Sequence, residues 1–134
     1  MRNSEKIGNE FYQNLGKLFY AVAMADKQVR PSEVERLRKY VRQHWLEVDN
    51  FEDEFQTDSA YQIETVFDWL EEEEKDGKDY FKDFKDFYKA HPEKFNAQVK
   101  SLIVRTAEAI ASSFAGKNKS ELVLIFKLKQ LFNN

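Results

Sequence analysis

What most limits the folds open to this chain is the spacing of its apolar residues, which recur at steps of three and four along most of its length. Ile7, Phe11, Leu15, Leu18, Phe19 and Val22 form one such stripe, and Val34, Leu37, Val41 and Trp45 a second. Ile63, Val66, Phe67 and Leu70 make a third, and Tyr80, Phe81, Phe84, Phe87 and Tyr88 an aromatic fourth. Phe95, Val99, Leu102, Ile103, Thr106, Ile110 and Phe114 continue the pattern. Such spacing stacks side chains on one face of an α-helix, whereas a strand needs strict alternation. Four glycines and two prolines in 134 residues are also too few for a β-protein built on tight turns. The expected fold class is all-α: a single compact domain over residues 1–134, of about six helices around a ring-rich core.

Local signals place the boundaries. The first helix is expected from about Ser4 to Ala25, with Ala21, Ala23 and Ala25 keeping its surface thin. A break at Asp26 to Pro31 follows, and Ser32 stands three residues before Glu35, the spacing of a capping box. The second helix runs to about Trp45, and its short connection predicts an antiparallel hairpin with the first. Glu47, Asp49, Glu52, Asp53, Glu54 and Asp58 then make an acidic stretch without a basic residue, which Phe51 and Phe55 are expected to pin to the core. The third helix covers about Ser59 to Lys75, carries the run Glu71 to Glu74, and is expected to end at Gly77. The aromatic fourth helix must stop at His91, because Pro92 bars the helical conformation there. Pro92 suits the first position of the fifth helix, which Gly116 breaks. The last helix, about Ser120 to Phe132, is apolar on nearly every side and is expected either at the centre of the core or against another subunit.

Composition removes several functional classes. There is no Cys, so disulfides, thiolate metal sites and Cys nucleophiles are excluded. A formal net charge of −3 offers no bulk attraction to nucleic acid or anionic lipid. Lys78, Lys82, Lys85 and Lys89 ride one side of the fourth helix, but Asp79, Asp83 and Asp86 interleave with them, so no nucleic-acid partner is expected. His44 and His91 have no partner at a zinc-site spacing and read as structural. No phosphate loop, nucleophile elbow or paired-His motif occurs, so no enzyme is expected. No segment reaches the length of a membrane span, and the opening residues do not form a signal peptide; the expected location is cytoplasmic.

The two ends of the chain match each other without gaps, residue i against residue i+88. Ala21-Val22-Ala23 falls on Ala109-Ile110-Ala111, Ser32-Glu33-Val34 on Ser120-Glu121-Leu122, and Leu37 on Ile125. A helix, a tight break and a Ser-Glu helix start are thus written twice. The expected architecture is two pseudo-symmetric helical hairpins, N- and C-terminal, with two helices inserted between them.

The stretch from Phe19 to Glu33 resembles the hallmark of the TerB-like (tellurite-resistance) helical domain family: an apolar or aromatic residue, Ala-x-Ala, then Asp, commonly Gly, any residue, Val, three spacers and Glu. Ala21, Ala23, Asp26, Val29 and Glu33 carry the match, with Lys27 where Gly is usual. In the second copy Glu121 is kept and Phe114 stands where the Asp would lie. The specific likeness covers about the first third of the chain. It implies a helical accessory or scaffolding module linked to stress and tellurite responses, with no reaction of its own and with acidic clusters suspected of holding a divalent cation.

Two readings stay open for Asp26 and Glu33. With Glu121 they could offer oxygen ligands to Ca²⁺ or Mg²⁺ as a cofactor. Alternatively, Asp26 accepts backbone N–H groups in the turn and Glu33 sits favourably at a helix start. An EF-hand does not fit, because Gln28 and Arg30 occupy ligand positions and the loop is short. The functional expectation is a non-enzymatic interaction module with a protein partner, able to form a homodimer through its last helix. A metal-dependent enzyme using clustered carboxylates, and a plain scaffold without an ion site, are the alternatives.

Overall fold

Each stripe becomes a helix. The computed structural model describes residues 2–25, 29–45, 61–73, 78–112 and 119–133. Its helices are α1 (Arg2–Ala23), α2 (Pro31–Tyr40), α3 (Gln62–Glu72), α4 (Lys78–Ala90), α5 (Ala97–Ser112) and α6 (Lys119–Asn133). A π-helical turn (Val41–Trp45) extends α2, and a 3-10 turn (Pro92–Lys94) precedes α5. There is no strand among the described residues, and the chain is one all-helical domain.

The centre of that domain is α1. Helices α3, α4 and α5 pack along it and α6 also touches it. Every residue from Leu18 to Ala23 is buried, more than a full turn, so this helix is covered all round and not along one stripe. Gly16 makes the closest approach possible. A Cβ there would lie 2.8 Å from the Ile63 carbonyl oxygen and 2.9 Å from Val66 Cβ, so α1 and α3 meet nearly backbone to backbone. The alanines at 21 and 23 are also buried.

Rings fill the other end of the core. Phe95 lies between the 3-10 turn and α5, with the rings of Tyr88 at 5.0 Å, Phe11 at 5.3 Å and Phe84 at 5.8 Å, all edge-on. Edge-to-face contact sets the positive rim of one ring against the negative face of another. Behind Phe95, α5 starts on a different residue from the one its proline suggests. The Val99 amide donates to Asn96 Oδ1 at 2.8 Å, so Asn96 caps the helix and Pro92 opens only the 3-10 turn.

Helix α2 departs from expectation where it starts. Its residues pack mainly on α5, and Trp45 of the π-helical turn also reaches α1, 6.5 Å from the Phe11 ring and 6.3 Å from the Phe19 ring. The π-helical turn buries Val41 and Trp45, and Trp45 Nε1–H donates to Thr106 Oγ1 at 3.1 Å. The Thr106 hydroxyl donates in turn to the Leu102 carbonyl at 2.7 Å, so both buried polar groups are satisfied. The start of α2 lies earlier than the Ser32–Glu35 spacing suggests. Pro31 takes the first helical position and places Glu33 third, where its carboxylate reaches back to the Arg30 amide. Ser32 is thus inside the helix, its hydroxyl buried without a hydrogen-bond partner among the described residues.

The last helix is not central. Ile125 and Leu128 are buried, but Leu122, Val123 and Phe126 are 44%, 52% and 60% exposed. The acidic stretch with Phe51 and Phe55, and the breaks at Gly77 and Gly116, lie outside the described residues.

Candidate functional site

The two glutamates of the repeat occupy the same place in their helices. Glu33 is the third residue of α2 and Glu121 the third of α6, and they are 1% and 2% exposed. A buried carboxylate is costly unless charge or hydrogen bonds compensate it. A helix start supplies part of that compensation, because its first N–H groups have no partner in the helix and carry a partial positive charge. At Glu33 the contact is visible: Oε1 accepts the Arg30 N–H at 2.8 Å, while the Glu33 N–H donates to the Arg30 carbonyl at 2.9 Å. Directly beside the two glutamates burial differs, Val34 being half-buried and Leu122 exposed, but further off it matches. Ala21, Val22 and Ala23 are buried like Ala109, Ile110 and Ala111, and Leu37 like Ile125.

Of the three candidate ligands, Asp26 lies outside the described residues. Among the described residues, no group of three or more His, Asp or Glu side chains could hold a metal ion. The Arg30 contact gives Glu33 the helix-start role that sequence reading offered as one of its two alternatives.

A second acidic cluster escaped the sequence reading. Glu64 on α3 is buried, and its Oε1 faces Arg42 Nη2 at 3.7 Å and Arg38 Nε at 4.0 Å. Arg38 is committed elsewhere, donating from Nη2 to both oxygens of Asp68 at 2.9 and 3.0 Å. Glu64 Oε2 is buried with no hydrogen-bond partner among the described residues. Burial therefore holds the Glu64 carboxyl above the ordinary carboxylate range, against the pull of Arg42 and Arg38. Glu71, one turn beyond Asp68, is raised by burial and by the Asp68 charge, with Arg38 opposing. Glu64, Asp68 and Glu71 share one side of α3 at steps of four and three, a signal present in the sequence. Its meaning depended on Arg38 and Arg42 of the α2 segment, which only packing brings opposite.

The histidines have ordinary surroundings. His44 lies 5.0 Å from the Tyr40 ring and His91 4.9 Å from the Phe87 ring, with His91 Nδ1 3.6 Å from Glu93 Oε1. No helix among the described residues is long and apolar enough to cross a membrane. Compared with protein-family models, curated proteins and solved structures, the chain matches none.

Proposed function

We propose that this chain is a non-enzymatic, TerB-like interaction module in which the two glutamate-bearing helix starts form a cation-responsive element. One observation supports the reading above others: Glu33 and Glu121 are both buried at the third position of helices that begin 88 residues apart. A carboxylate kept from water at two related places is more than a helix start needs, since an exposed Glu serves the dipole equally well. In this reading Asp26, Glu33 and Glu121 supply hard oxygen ligands to Ca²⁺ or Mg²⁺, and the ion sets the relative placing of α2 and α6. The stress or tellurite setting follows from the resemblance alone. Calorimetric titration with each ion tests it. The native chain is expected to give saturable heat that Asp26→Ala and Glu121→Gln abolish. Absence of heat from the native chain at millimolar ion would end the cation proposal.

A second reading is favoured by the outer face of α6, where Leu122, Val123 and Phe126 lie in water. An exposed apolar stripe on an otherwise packed helix suits self-association, and the partner would be a second copy of the chain. Sedimentation should then show a dimer that Phe126→Glu dissociates; a monomer at all concentrations would refute it.

A further inference from the structure

The interleaved charges of α4 are sorted by the fold. Asp83 is turned to Lys17, 3.4 Å away on α1, and Asp86 to Lys82 at 3.6 Å. Lys85 and Lys89 are left with no ion pair among the described residues, and Lys127 of α6, also without one, joins them. These three lysines edge a groove of about 400 Å³ between α4 and α6, whose floor is formed by Phe81, Tyr88 and Leu131. No carboxylate of the described residues lines it. Among the described residues none of the acids of α4 lines the groove, and a lysine from a distant part of the chain completes a basic rim over an apolar floor.

We propose that the α4–α6 groove is a docking site for an acidic peptide segment that carries an aromatic side chain. The inference rests on the reading of the chain as an interaction module and names the partner class and surface. Charge complementarity selects the occupant. Three ammonium groups with no ion pair among the described residues call for several separate carboxylates, and the ring-lined floor calls for an apolar side chain between them. A free phosphate would leave that floor uncovered. A nucleic acid would need more than this small basic patch to follow the charge of its backbone. A second copy placed symmetrically over the groove would set the lysines against themselves.

The test is fluorescence anisotropy with the full chain and a labelled short peptide of Asp and Glu carrying two Phe four positions apart. Saturable binding is expected, weakening steeply as salt screens the lysines. The combined Lys85→Glu, Lys89→Glu and Lys127→Glu variant should bind about tenfold more weakly. The reversal of Lys39, exposed on α2, should stay within about twofold of native. Should the triple reversal unfold the chain, as circular dichroism would reveal, the corresponding Lys→Gln variant must show the same direction of loss. A peptide with Ala in place of Phe must also bind more weakly. Undiminished affinity in the lysine variants overturns the groove but leaves the module reading, whose cation titration is independent. Equal affinity of the Ala peptide, tighter binding of a single-stranded oligonucleotide, or no peptide binding overturns the groove as well.

Discussion

Helices α1 and α6 differ in how completely the fold encloses them. The first has a single apolar stripe broken by Gly16, Lys17 and Tyr20, yet it is enclosed from Leu18 to Ala23 without an exposed residue. The last is apolar on nearly every side, yet it leaves Leu122, Val123 and Phe126 in water. The difference teaches that size at the contact matters as much as hydrophobicity. Small residues at 16, 21 and 23 let neighbouring helices close over α1 from several directions, and the rings of Phe19 and Tyr20 fill the space between. A helix studded with Leu and Phe keeps its neighbours further off and is more easily left at the edge. One consequence is the surplus apolar surface that Leu122, Val123 and Phe126 leave on α6.

The largest effect should come from substituting one ring on each helix. Phe19→Ala removes a fully buried side chain and should lower stability by about 3–5 kcal/mol, whereas Phe126→Ala should change it by less than about 0.5 kcal/mol. Urea denaturation of both variants checks this, and equal losses would break the comparison. Next comes the reason α1 can be enclosed. Gly16→Ala gains about 1 kcal/mol of helix propensity but pushes a methyl against the Ile63 carbonyl, so a net loss of about 1–3 kcal/mol is expected by the same measurement. A stabilised Gly16→Ala would show that the α1–α3 contact yields easily.

The smallest effect sharpens the comparison where a charge shares the interior. Glu64 binds its proton more tightly in the fold than in the unfolded chain, because burial disfavours its ionised form. Its contribution to stability is therefore complete below the ordinary glutamate range and is lost as pH rises through the raised value. Thermal melts across the mildly acidic range should show Glu64→Gln with a flatter dependence on pH than native. Superimposable profiles would mean that Arg38 and Arg42 already compensate the carboxylate.

Much of the fold could be read locally. The helices follow from the stripes, and the stop before Pro92 follows from proline sterics. At the start of α2 two capping spacings compete, Ser32 with Glu35 and Arg30 with Glu33, and Pro31 decides for the second by fitting the first helical position. At the candidate site, the equivalence of Glu33 and Glu121 was legible as a repeat of residue types. Their burial was not, since it depends on which helices cover them. The groove of Lys85, Lys89 and Lys127 was hidden for the same reason: its members are distant in sequence, and the aspartates beside two of them look like partners until Lys17 and Lys82 claim them.

The sequence alone determined that this chain would be helical, where most helices lie, and that its two ends repeat one motif, because apolar period, proline and capping act within a few residues of themselves. Only the tertiary structure decided which helix lies at the centre, that α2 leans on α5, and which charges keep a partner. Those outcomes turn on distances between surfaces far apart in the chain, and no local pattern encodes a distance.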